Sequence, residues 1–212
     1  MTRYVIFDLD DTLVRSRAVR DAFALVAAEH GIARDAVERT LDDLPDRPAR
    51  DIFAALGAPD PDAASRRFFE RLDERNAEVA PEPYPDADAT LRAVAALGST
   101  LLLSTGSPAD RAREVLDRHG WDVFAAVLGS EDGRRKDAAH YAAIGERTAE
   151  PGWTLRSATV GDSPADMRLG AEHGVRVRIG VDRDGDPDAL IAAGATHVVT
   201  SLAEILPILA RT

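Results

Sequence analysis

Asp8 and Asp10 stand one residue apart at the end of an apolar run, Tyr4-Val5-Ile6-Phe7, with Thr12-Leu13-Val14 after them. Such a run predicts a buried strand, and carboxylates at a buried strand end are costly to keep ionised unless a cation or a reaction uses their charge. Alternation along a strand would turn the two acids to opposite faces, so both can reach one ligand only where the chain leaves the strand. Three further stretches carry related chemistry. Leu101-Leu102-Leu103-Ser104-Thr105-Gly106-Ser107-Pro108 ends in hydroxyls and glycine before a helix start, offering a hydroxyl and exposed N–H groups to a phosphate. Gly133-Arg134-Arg135-Lys136-Asp137 supplies a cation that would stabilise phosphoryl charge, Lys136 by its spacing, with Arg135 the alternative. In Ala158-Thr159-Val160-Gly161-Asp162-Ser163-Pro164-Ala165-Asp166 a strand again ends in an acid, and a second acid follows one helical turn later. Two carboxylates so spaced can serve a single cation, one directly and one through water. Mg²⁺, which takes few carboxylates together with waters and phosphate oxygens, suits that pair.

The elements that must position these groups alternate. Apolar runs at 4–7, 100–104, 126–129, 158–161, 175–179 and 197–199 predict strands, with amphipathic stretches between them such as Leu91, Val94, Leu97 and Ala112, Val115, Leu116, His119. That order predicts an α/β fold, a doubly wound, Rossmann-like parallel sheet with its ligands gathered outside the carboxyl ends of the strands. Residues 15–83 break the pattern. Val19, Phe23, Val26 and His30 before Gly31, then Ile52, Phe53 and Leu56 before Gly57, then Phe68, Phe69 and Leu72 with Val79, predict helices only. The expected organisation is a core of 1–14 and 84–212 with an all-helical insert at 15–83, closed by the stiff Pro81-Glu82-Pro83-Tyr84-Pro85 return.

Asp8-x-Asp10-x-Thr12 after a short apolar strand resembles the first motif of the haloacid dehalogenase-like (HAD) phosphohydrolases, and the other three stretches resemble their second, third and fourth motifs, in family order. The resemblance implies that Asp8 is the nucleophile that takes up the phosphoryl group. It implies that Asp10 protonates the leaving alcohol and later takes a proton from water. Thr105 and Gly106 would bind the phosphate, with Ser104 the alternative register, beside Lys136. Mg²⁺ would lie on the Asp8 carboxylate, the Asp10 backbone carbonyl and Asp162, with Asp166 in support. The third motif often continues Pro-x-Pro, whereas Asp137, Ala138 and Ala139 follow here. The insert looks like a C1-type cap, which in this superfamily excludes water and selects the leaving group. Asp46-Arg47-Pro48-Ala49-Arg50-Asp51 resembles the specificity loop of phosphoglycolate phosphatase-like members, so Arg47 or Arg50 is expected to meet a substrate carboxylate or second phosphate. Haloacid dehalogenases proper lack an acid at the position of Asp10. Phosphonatases need a cap lysine, and residues 15–83 contain none. The expected activity is hydrolysis of a small anionic phosphate monoester; a phosphomutase of the same fold, or a non-catalytic receiver-like or binding homologue, is the alternative.

Bulk properties narrow the field further. The net charge of −11 over 212 residues opposes nucleic acid and anionic membrane as partners. The absence of cysteine excludes disulfides, thiol catalysis and thiolate metal sites. His30, His119, His140, His173 and His197 are scattered, without zinc-ligand spacing. No leader-like or membrane-length apolar stretch is present, and a cytoplasmic monomer or homodimer is expected.

Overall fold

The run before the acid pair forms β1 (Tyr4–Phe7), buried along its whole length. Its alternate side chains enter different cores, Val5 and Phe7 one, Tyr4 and Ile6 the other, which is why it is apolar throughout. In this computed structural model the described residues are 2–15, 18–44, 48–78, 80–129, 136–183 and 187–212. They divide into two compact units, Met1–Arg15 with Pro83–Thr212, and Ser16–Glu82.

In the first unit β1 is followed by β2 (Val14–Arg15), the point where the chain leaves, and β3 (Glu82–Pro83) marks its return. Then come α5 (Ala87–Ala96), β4 (Thr100–Ser104), α6 (Ala109–His119), β5 (Phe124–Leu128) and α7 (Ala138–Thr148). The series ends with β6 (Ser157–Gly161), α8 (Pro164–Glu172), β7 (Val177–Val181), α9 (Pro187–Ala192), β8 (His197–Val199) and α10 (Ile205–Arg211). Six strands form one parallel sheet in the order β5-β4-β1-β6-β7-β8. Apolar faces of α5, α6 and α10 fill the core on one side, through residues such as Leu91, Leu116 and Ile205. Tyr141 and Ile144 of α7 fill the other. This is the doubly wound α/β architecture expected. Because β1 is central and both its neighbours run parallel to it, the carboxyl ends of β4, β1 and β6 lie side by side.

The strand expected at 175–179 begins two residues later, at Val177. Val175 belongs to the end of α8 instead. With Gly174 at φ 70, the Val175 N–H reaches Gly170 O (2.8 Å) and the Gly174 N–H reaches Ala171 O (3.0 Å). That pairing is a Schellman cap, whose closing residue is commonly apolar and buried.

The second unit is helical: α1 (Ala18–Glu29), α2 (Arg34–Asp43), α3 (Ala49–Ala55) and α4 (Pro61–Glu78). It has its own core, in which Phe23 stacks on Phe68 (4.1 Å) and meets Phe53 (5.3 Å). Val79 of the third expected helix lies outside the described residues. No helix among the described residues is long and apolar enough to cross a membrane.

Candidate active site

The turn after β1 carries the acid pair. Asp8 is the first residue beyond the strand, although its N–H still reaches Val160 O on β6 (2.9 Å). Leaving the strand there resolves the alternation problem. The chain then closes on itself: the N–H groups of Leu13 and Val14 both reach Leu9 O, and Asp11 N–H reaches Val14 O. Asp11 adopts φ 58, a left-handed conformation that Asp tolerates better than most residues.

Three carboxylates converge. Asp8, Asp162 and Asp166 can each offer an oxygen within 4.8 Å of the others. Lys136 is laid between two of them, its Nζ donating to Asp8 Oδ1 (3.0 Å) and to Asp166 Oδ1. The side chains are nearly dry, Lys136 12% exposed, Asp8 11% and Asp166 3%. The second oxygen of Asp166 accepts from Ser163 N–H and Oγ, while Ser163 Oγ caps α8 at Asp166 N–H. Asp166 is thus held by Ser163 and holds Lys136 in turn. Gly161 makes room for it, since a Cβ there would run into the Asp166 carboxylate.

Thr12, fully buried, donates from Oγ1 to Asp162 Oδ1 (2.7 Å). At the end of β4, Thr105 is buried, its N–H on Leu128 O (3.0 Å) and its Oγ1 accepting Ser107 N–H (3.1 Å). Ser104 turns its hydroxyl to His140 Nδ1 (2.9 Å), so of the two candidate registers Ser104 is already engaged with α7. A Cβ at Gly106 would meet no atom within 4 Å, which leaves open space beside that residue. Ser107 donates to Asp10 Oδ2 (2.7 Å).

Burial pushes the Asp8 carboxyl up to about 7, against the opposing pull of Lys136, and Asp166 and Asp10 add to the rise. Burial likewise holds Asp162 well above the usual carboxylate range, with the Asp8 and Asp166 charges contributing. Burial pulls Lys136 down, yet the Asp166 and Asp8 carboxylates outweigh it and keep its ammonium firmly charged. Among the described residues one cation therefore faces three acids in a dry place. Lys136 takes one oxygen of Asp8 and Thr12 takes one of Asp162, and the remaining oxygen of each has no hydrogen bond among the described residues. This set of hard oxygen donors fits Mg²⁺.

The structure thus brings together Asp8, Asp162, Asp166 and Lys136, and ties Asp10 to the Thr105 loop through Ser107. Arg50 lies in the helical unit, exposed, with Nε on Asp62 Oδ1 (2.7 Å). Arg47 and Arg135 fall outside the described residues. No motif in the sequence marks a role for Ser107 or His140. Ser107 was signalled only by its place two residues beyond Thr105, and His140 by its place one helical turn beyond Lys136. Lys136 had a clearer signal, being the only lysine among 26 Lys and Arg.

A parallel α/β sheet with an acid cluster and a buried lysine at its carboxyl edge defines a doubly wound, Rossmann-like α/β protein. The chain belongs to the haloacid dehalogenase-like hydrolase family, whose model matches residues 5–179. It is 33% identical over 191 residues to a phosphoglycolate phosphatase from Rhodospirillum rubrum, across 84% of this chain and 78% of that protein. Among solved structures it is similar to a haloacid dehalogenase-like family hydrolase from Streptococcus pneumoniae, with a TM-score of 0.82 at 19% identity over 98% of each chain. It is also similar to CbbY from Rhodobacter sphaeroides in complex with phosphate, with a TM-score of 0.67 at 18% identity over 97% of this chain and 96% of that one. At those identities the likeness is one of fold.

Proposed function

We propose that the chain is a Mg²⁺-dependent phosphatase that hydrolyses a small anionic phosphate monoester through an aspartyl phosphate on Asp8. The observation that carries this reading is the Lys136 ammonium held between Asp8 and Asp166 beside Asp162. That arrangement keeps a carboxylate oxygen available while cancelling part of the repulsion an incoming phosphate would meet.

Asp8, the Asp10 backbone carbonyl and Asp162 would hold Mg²⁺, which when bound supplies positive charge against the phosphoryl oxygens. A free Asp8 oxygen attacks phosphorus in line, and the bond to the ester oxygen breaks. Asp10, oriented by Ser107, gives its proton to the departing alcohol. Water then attacks the phosphorus of the aspartyl phosphate while Asp10 takes its proton, releasing inorganic phosphate and restoring Asp8. Thr105, the Gly106 N–H and Lys136 bind the phosphoryl oxygens. The helical segment 15–83 serves as the cap that selects the leaving group, with Arg47 and Arg50 recognising a substrate carboxylate or second phosphate. Arg50 would exchange its Asp62 partner for the substrate, a small cost for an exposed ion pair.

Phosphate release from a panel of phosphorylated metabolites, with Mg²⁺ and with chelator, tests the activity. Mg²⁺-dependent release, highest for esters carrying a second anionic group, is expected. No release from any ester, or interconversion of phosphate positions without release, would overturn it. Unchanged turnover of the best ester in both Arg47→Ala and Arg50→Ala would overturn the cap assignment.

A further inference from the structure

Arg183 follows β7 by two residues and takes no part in the chemistry above, yet its side chain is only 15% exposed. Its guanidinium has three engagements. Nη2 donates to the Thr12 backbone carbonyl (3.0 Å) and to Asp86 Oδ1 (3.1 Å), and Nη1 lies 3.4 Å from Asp86 Oδ2. Its planar face stacks on Tyr84, 3.6 Å from the ring centroid. Asp86 is itself pinned, accepting from Ser201 Oγ and Leu202 N–H, both at 2.8 Å. The Tyr84 N–H bonds to Leu13 O (3.0 Å), beside the carbonyl that Arg183 takes.

A buried ion pair is poor evidence of stabilisation, because desolvating both charges costs about as much as their attraction returns. Arg183 also carries a buried Nε with no hydrogen bond among the described residues. Apolar side chains would fill such a place more cheaply. What they could not supply is a rigid donor to the Thr12 carbonyl. Thr12 in turn donates from its hydroxyl to Asp162 Oδ1 (2.7 Å). Groups that orient a metal's acids from behind commonly tune its affinity.

We propose that Arg183 is a positioning residue for the metal site: by holding the Thr12 backbone against Asp86 and Tyr84, it fixes the hydroxyl that orients Asp162 toward Mg²⁺. This rests on the proposed function only in taking Asp8 and Asp162 as Mg²⁺ ligands. A lysine cannot substitute, since an ammonium lacks both the fork that spans Asp86 and Thr12 and the flat face that stacks on Tyr84.

The test is calorimetric titration of Mg²⁺ into the full chain without substrate, alongside thermal unfolding. Wild type should bind and Asp162→Asn should not. Arg183→Gln, Arg183→Lys and Thr12→Val should each bind on the order of 10-fold more weakly, at unchanged stoichiometry. Val94→Ala, a cavity variant in α5 that removes none of these hydrogen bonds, should lower the unfolding midpoint and keep wild-type affinity. Wild-type affinity in both Arg183→Gln and Arg183→Lys would overturn the proposal, as would an equal loss in Val94→Ala, which would mean general loosening. If Arg183→Gln does not fold, Arg183→Lys and Thr12→Val decide the matter by the same criterion. Absence of Mg²⁺ binding in wild type is a separate failure: it would remove the metal from the proposed function and this inference with it.

Discussion

Lys136 makes two charge-assisted contacts from one atom, to acids that lie 128 and 30 residues away in sequence. A guanidinium is wider, planar and donates as a fork, so it cannot occupy the point between two converging carboxylates. Lys136→Arg is therefore expected to lower kcat by on the order of 100-fold, as does loss of a single transition-state donor elsewhere. Steady-state kinetics would check this, and a near-normal rate would remove Lys136 from phosphoryl stabilisation. For Asp8→Asn the expectation is complete loss of turnover with the fold retained, measured by phosphate release and circular dichroism together. Asp10→Asn should slow breakdown of the phosphoenzyme more than its binding of substrate, so that kcat falls; a change in KM alone would contradict the role of Asp10 as proton donor and acceptor.

At the scale of elements, the site depends on how closely β6 meets α8. A side chain at Gly161 would collide with Asp166, whose carboxylate carries Lys136. Gly161→Ala should accordingly destabilise the chain by about 1–3 kcal/mol and reduce kcat with it. Denaturant unfolding and kinetics on one preparation would check both; lost stability at an unchanged kcat would show that Asp166 can shift without disturbing Lys136. The strand ends that carry these groups were legible in the sequence, because strands buried on both faces are apolar throughout and end abruptly in polar residues. The start of β7 was not, since Val175 is apolar on account of the α8 cap. Nor was α2, where among the described side chains Val37 is buried and Leu41 packs against the same core in an otherwise polar helix. The Ser107 contact with Asp10 spans 97 residues and the His140 contact with Ser104 spans 36, so neither leaves a local pattern.

For the whole molecule, the acid cluster links folding to pH and to metal. Without a cation Asp8 keeps its proton up to about 7, against an ordinary 3.8 for the unfolded chain. Between those values the folded state binds more protons than the unfolded one, so metal-free stability should fall as pH rises through this window and level off above it. A cation competes with those protons, so the gain in Tm on adding Mg²⁺ should be larger near pH ~8 than near pH ~5.5. Thermal unfolding with Mg²⁺ and with chelator at each pH would check this, and a gain independent of pH would contradict it. The most direct test of the mechanism is chemical trapping at Asp8. Turnover is quenched in the steady state, the protein is reduced with borohydride, which converts an acyl phosphate to an alcohol, and the peptide spanning Asp8 is sequenced by mass spectrometry. Homoserine in place of Asp8, dependent on both substrate and Mg²⁺, is the expected result. Sustained phosphate release with Asp8 unmodified would contradict nucleophilic catalysis by this carboxylate.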